Sequence, residues 1–93
     1  MPEYARLHGW VSGYVQGVGF RFYAQKKAGM HGLTGWVRNI PDDRVEFLVE
    51  GSKGMIEDFL KDMQIGPASG HVAGVQTIWE KYKGEFNEFR IGL

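Results

Sequence analysis

Residues 13–21, GYVQGVGFR, place three glycines within nine positions and end on an arginine. Glycine accepts positive φ without strain and has no Cβ, so successive peptide N–H groups can converge on one point and a ligand can approach the backbone. Such a loop is an anion cradle. A helix starting near Phe20 or Arg21 would aim its unpaired first-turn amides and positive dipole end into the same space. The planar guanidinium of Arg21 adds a fork for two phosphate oxygens, which a lysine would not reproduce. Together these donors favour an anion of phosphate size. Two better-known phosphate motifs do not fit. Gly17 and Gly19 begin a G-x-G pattern, but Phe22 interrupts the dinucleotide fingerprint, and the Gly-Lys-Ser or Gly-Lys-Thr of a P-loop is missing.

The elements that must hold this loop follow from the hydrophobic pattern. YARLHGWVSG, from Tyr4, alternates, with Ala5, Leu7, Gly9 and Val11 on one face and Arg6, His8, Trp10 and Ser12 on the other. After the loop, FRFYAQKKAGMHG puts Phe20, Ala24, Lys27 and Met30 at helical spacings, with Gly32 as a left-handed stop. LTGWVRNI returns to alternation, PDDR supplies a tight reversal, and RVEFLVEG completes a hairpin with Val45, Phe47 and Val49 on one side. Ser52 is placed to cap a second helix whose apolar stripe is Ile56, Phe59, Leu60 and Met63, ended by Gly66 and Pro67. A long strand over HVAGVQTIWEKY, a turn near Lys83 and Gly84, and a short terminal strand complete the chain. The expectation is an α+β, ferredoxin-like sandwich: βαββαβ plus a short C-terminal strand, with two helices on one face of an antiparallel sheet. Its 93 residues suit one domain over 1–93.

Composition narrows the function classes. Eleven basic residues balance eleven acidic ones, which removes the usual driving force for nonspecific nucleic-acid binding. Cysteine is absent, which excludes disulfides, thiolate catalysis and cysteine-ligated metals. The N-terminal MPEYARLHGW lacks the pattern of a signal peptide, and no stretch has the length of a membrane span. A cytoplasmic protein without membrane or nucleic-acid partners is expected.

At GYVQGVGFR together with GWVRN, residues 35–39, the chain resembles the acylphosphatase family. The first stretch matches that family's Gly-x-Val-Gln-Gly-Val-x-Phe-Arg loop at every fixed position, and the second its Gly-aromatic-Val-basic-Asn strand. Val45 and Gly51 continue the signature, and the order of elements agrees from near Tyr4 to the C-terminus. Asp43 stands where the family usually has a glycine in the hairpin turn; aspartate tolerates the left-handed conformation better than most residues. The resemblance implies hydrolysis of acyl phosphates to a carboxylate and inorganic phosphate, without metal or cofactor. By motif position it implies a substrate-binding loop of Val15, Gln16, Gly17, Val18, Gly19 and Phe20, whose amides meet the phosphoryl group. Arg21 would clamp that group, Asn39 would hold the attacking water, and Gln16 would shape the loop through its side-chain amide. A monomer is expected, with the edge strands near the C-terminus the places where a second copy would pair.

Other readings of the same residues are weaker. His8, His31 and His71 are far apart and lack the spacing of a metal site, and Ser12 with His8 has no convincing acid for a triad. Asp42 and Asp43 follow a proline and read as a turn. Trp10, Trp36 and Trp79 could stack nucleobases on an open sheet, so the alternative is a ferredoxin-like RNA-binding or ligand-sensing module without catalysis. Zero net charge disfavours it, and the tryptophans are expected to cover the sheet.

Overall fold

A computed structural model describes residues 2–92; Met1 and Leu93, the ends of the expected domain, lie outside the described residues. The elements are β1 (Tyr4–Tyr14), α1 (Phe20–Met30), β2 (Thr34–Asn39), β3 (Val45–Ser52), α2 (Lys53–Ile65), β4 (His71–Glu80) and β5 (Phe89–Ile91). They build an α+β ferredoxin-like sandwich whose sheet has the strand order β4-β1-β3-β2-β5.

Side-chain alternation sends Leu7, Val11, Val37, Val45, Phe47 and Val49 to the face that the helices cover, against Phe20, Ala24, Ile56, Phe59 and Met63. α1 lies over β2 and β5, and α2 over β1 and β4. A Cβ at Gly9 would overlap the Phe47 ring, so the absence of a side chain there lets a phenylalanine sit flat against β1. Two expected details differ. Met30 is exposed, and Ala28, one turn after Ala24, takes the buried place at the end of α1. The Ser52 side chain makes no capping bond; the Lys53 amide donates instead to the Glu3 carbonyl at 2.7 Å, so tertiary structure supplies the cap.

The sheet is antiparallel through four strands, and β5 then adds parallel to β2. The cause is the path of residues 81–88. β4 finishes opposite Arg6, at the starting end of β1, and the chain crosses to the other edge at that same end. β5 must therefore run as β1 and β2 do. The crossing is held by Glu50, a fully buried carboxylate that accepts the amides of Lys83 (2.7 Å), Gly84 (3.2 Å) and Glu85 (3.1 Å). Arg6 neutralises part of this charge, with Glu50 at 3.6 Å and Glu80 at 3.3 Å, Glu85 also paired, and the Phe86 ring 5.6 Å away. This network explains why Arg6 and Glu50 are buried at positions that alternation assigns to the wetter face.

The remainder of that face is closed by His8, whose Nε2 lies 2.7 Å from Glu46 and whose ring lies 4.1 Å from Trp10 and 6.1 Å from Trp36. Arg38 stacks on Trp36 and donates to Glu46. Trp10 and Trp36 thus cover the sheet, but Trp79 pairs with Leu7 and faces the helix side, beside Lys53. The three tryptophans do not share a surface.

Candidate functional site

β1 and β2 run parallel with β3 antiparallel between them, so both finish at one end of the sheet. Val11, Val45 and Asn39 form a row across the three strands. At about 4.8 Å per strand spacing, Asn39 lies roughly 10 Å to the side of Val11, just short of where β1 passes into the glycine-rich loop. Asn39 has the parity of Gly35 and Val37, which directs its side chain toward the helix layer. α1 begins there, and because it packs on β2 its N-terminus lies over that same end.

Between the strand and the helix, Val15 and Phe20 sink their side chains into the core, and Val18 packs against it half-buried. The backbone is thereby pinned at three points with its polar groups left outside. Gly17 and Gly19 take left-handed conformations, φ 75° and 79°, and a Cβ at either would meet nothing within 4 Å. Backbone conformation, not crowding, requires glycine at both positions, and the space beyond them is open. Gly19 is also the N-cap of α1 and provides no capping side chain. The first bond of the helix is Tyr23 N–H to Gly19 O at 3.0 Å, so the amides of Phe20, Arg21 and Phe22 have no intrahelical acceptor. No acidic residue occupies the first turn to compete for its positive end.

Arg21 is partly buried in that turn, yet among the described residues it pairs with no carboxylate and donates no hydrogen bond. The Asn39 side chain is likewise partly buried, with no hydrogen-bond partner among the described residues. The Gln16 carboxamide is engaged: its Nε2 donates to the carbonyls of Ile40 (2.8 Å) and Arg44 (3.0 Å). It ties the loop to the hairpin that follows Asn39. On the other flank the Ser69 hydroxyl donates to the Val18 carbonyl at 3.1 Å, and Gly70 packs so closely that a Cβ would touch Val18 and the Tyr14 carbonyl. Ser69 and Gly70 escaped sequence reasoning, because no local pattern links a turn to a loop some 50 positions away.

The hairpin has its own electrostatics. Arg44 grips Asp42, with Nε to Oδ2 at 2.8 Å and a second nitrogen at 2.7 Å. That hydrogen bond holds the Asp42 carboxyl below its ordinary range and the Arg44 guanidinium above its own. Asp43 takes φ 70°, the left-handed turn expected of it.

The family model for acylphosphatases matches residues 7–91. The chain belongs to the acylphosphatase family. An acylphosphatase from Pelotomaculum thermopropionicum is 44% identical over 89 residues, which are 96% of this chain and 97% of that protein. The crystal structure of acylphosphatase from Bacillus subtilis superposes with a TM-score of 0.93 at 31% identity, covering 96% and 99% of the two chains. An acylphosphatase structure from Coxiella burnetii gives 0.90 at 32% identity, covering 96% and 93%. These relatives place the chain among hydrolases of this family, and the fold is theirs. Among the described residues no helix is long and apolar enough to cross a membrane.

Proposed function

We propose that the protein, acting as one domain and as a monomer, hydrolyses acyl phosphates, with the glycine-rich loop as the phosphoryl site. The observation that carries this reading is a partly buried guanidinium with no partner among the described residues, set on the same helix start as three amides with no intrahelical acceptor. In the proposed reaction the amides from Val15 to Phe20 and the Arg21 fork surround the phosphoryl oxygens, where negative charge gathers in the transition state. Asn39 orients a water through its carboxamide, which can accept from the water and donate elsewhere. The water oxygen bonds to phosphorus as the bond from phosphorus to the acyl oxygen breaks. The carboxylate leaves with that electron pair, and the proton of the water passes to the phosphate formed. A carboxylate is a good leaving group at neutral pH, so positioning and charge stabilisation suffice and no strong general base is invoked.

The RNA-binding alternative is disfavoured because His8 fills the space between Trp10 and Trp36, and Trp79 faces the other way. The deciding assay is phosphate release from benzoyl phosphate in the presence of a chelator, with inorganic phosphate as competitor. Turnover that resists the chelator and is inhibited by phosphate is expected. Arg21→Gln should lose most phosphate binding together with turnover. Asn39→Ala should lose turnover chiefly, by about 100- to 1,000-fold, the usual effect of removing one preorganised group. Wild-type turnover in Asn39→Ala would overturn the assignment of the water holder.

A further inference from the structure

A cavity of about 260 Å³ opens beside the glycine-rich loop, lined by Gly13, Tyr14, Val15, Gln16 and Asp43. It shares Val15 and Gln16 with the loop, and Asp43 brings in the hairpin that Gln16 fastens there. Two adjacent aspartates stand on this hairpin in opposite electrostatic situations. Asp42 is neutralised by Arg44. Asp43 makes no ion pair and its side chain accepts no hydrogen bond from any described residue. Its backbone is fixed at φ 70° in the tight turn, with its amide bonded to the Ile40 carbonyl at 3.2 Å. An unneutralised carboxylate thus lines a cavity that adjoins the proposed phosphoryl loop through Val15 and Gln16, where the acyl portion of a bound substrate has room to lie.

We infer that Asp43 sets the acyl-group selectivity of the enzyme, disfavouring substrates whose acyl portion carries further negative charge and leaving uncharged or cationic acyl groups favoured. The inference rests on the hydrolytic reading above and deepens it. The phosphoryl group is common to every substrate, so the Asp43 field acts on it equally. Only a charge on the acyl portion makes a difference between substrates. Were the two charges ~8 Å apart in a largely aqueous surrounding, the Coulomb energy would correspond to a discrimination of about two- to five-fold. It must also vanish with salt, since the Debye length shrinks to ~3 Å at 1 M.

The test compares 4-carboxybenzoyl phosphate with 4-methylbenzoyl phosphate in the wild-type protein and in Asp43→Asn and Asp43→Gly. Both replacements remove the charge, and asparagine and glycine are the residues that best keep a left-handed turn. Comparing the ratio of kcat/KM values between variants cancels the intrinsic reactivities of the two substrates. At low ionic strength the ratio of carboxylated to methylated substrate should rise about two- to five-fold in both variants, and the rise should disappear at 1 M salt. A ratio that does not move, or a rise that persists at 1 M salt, overturns the role of Asp43 while the hydrolytic reading stands. Failure of the wild-type protein to turn over 4-methylbenzoyl phosphate brings down both.

Discussion

Replacing Gln16 with alanine separates a loop-shaping side chain from a substrate-binding one. In the native protein its Nε2 donates to the Ile40 carbonyl at 2.8 Å and the Arg44 carbonyl at 3.0 Å. Both carbonyls keep a second partner after truncation, because Ile40 O also accepts from the Asp43 amide at 3.2 Å and Arg44 O from the Ile40 amide at 3.0 Å. Neither acceptor becomes an orphan. The loss is then the net worth of two hydrogen bonds, about 1 kcal/mol each, without the desolvation penalty of a stranded buried group. A total of about 2 kcal/mol in a domain of this size lowers Tm by roughly 8–16 °C.

The effect on activity has a different origin. Once Gln16 is gone, the loop loses both side-chain hydrogen bonds to the hairpin that follows β2 and keeps only the packing of α1, Val15 and Phe20, and a displacement of about 1 Å between reacting groups can cost 100-fold in rate. Asparagine-held water and loop-held phosphoryl group are expected to lose alignment, so kcat for benzoyl phosphate should fall about 10- to 100-fold. Competition by inorganic phosphate should weaken only a few-fold, because the amides and Arg21 remain. Gln16→Glu should be worse than alanine in both respects, since it points carboxylate oxygens at two carbonyl oxygens. Thermal denaturation and steady-state inhibition on the three proteins decide the matter. An unchanged Tm in Gln16→Ala, coupled with a collapse of phosphate inhibition, would refute the bracing argument and make the side chain a ligand contact.

Two further outcomes follow from the opposite face of the sheet. Glu50→Ala leaves three amides without their acceptor and removes one of the three carboxylate partners of the buried Arg6 guanidinium, which keeps Glu80 and Glu85, so a loss of about 3–5 kcal/mol, roughly 1–2 per orphaned amide, is expected in urea denaturation; a change below about 1 kcal/mol would mean that the 81–88 crossing is held by other contacts. At Glu46, burial pushes the carboxyl pKa up, but hydrogen bonds from His8 and Arg38 outweigh it and leave the folded-state value below the ordinary 4.5. A depressed folded pKa gives stability that is present above the unfolded value and is lost as pH falls through the folded one, because the unfolded chain takes up its proton first. Tm should therefore drop as pH is lowered from about 5 through the Glu46 range, and Glu46→Gln should flatten that part of the profile; an identical profile in the variant would show that other carboxylates carry the acid limb.

The sequence made some of this legible and hid the rest for identifiable reasons. Strand alternation located β1, β2 and β3 and the buried residues of the helix-facing layer, because one covered face leaves a period-two signature. Buried Arg6, Glu46 and Glu50 left no such signature: charged residues at alternate positions read as solvated, and it takes the 81–88 crossing at Arg6 and Glu50, and His8 with Arg38 at Glu46, to convert their face into an interior. The parallel entry of β5 was invisible for a related reason, since direction depends on which end of the sheet the connection crosses and not on the composition of three residues. In the site, glycine chemistry announced the loop, and the left-handed angles at Gly17 and Gly19 agree with it. Its bracing did not show, because the partners of Gln16 and Val18 are a backbone carbonyl pair and a serine from distant turns.

The placement of Arg21 and Asn39 at one end of the sheet follows from topology rather than from any attraction between them. Arg21 and Asn39 are separated by one helix and one strand, a βαβ crossover that returns the chain parallel to its start with a gap one strand wide. β3 fills that gap running the other way, so the short turn leading into it must sit at the end where β1 and β2 finish. A glutamine in the loop can then reach that turn without lengthening either strand, and the loop is fixed to the end of β2 by backbone carbonyls that any hairpin would present. The expected insensitivity to hairpin side chains is specific: substitutions at Asp42 or Arg44 leave those carbonyls in place, whereas a change of hairpin length moves them. Activity should accordingly survive Arg44→Ala within a few-fold and fail when one residue is inserted after Pro41, and equal losses in the two proteins would show that side-chain electrostatics, not the backbone frame, aligns the site.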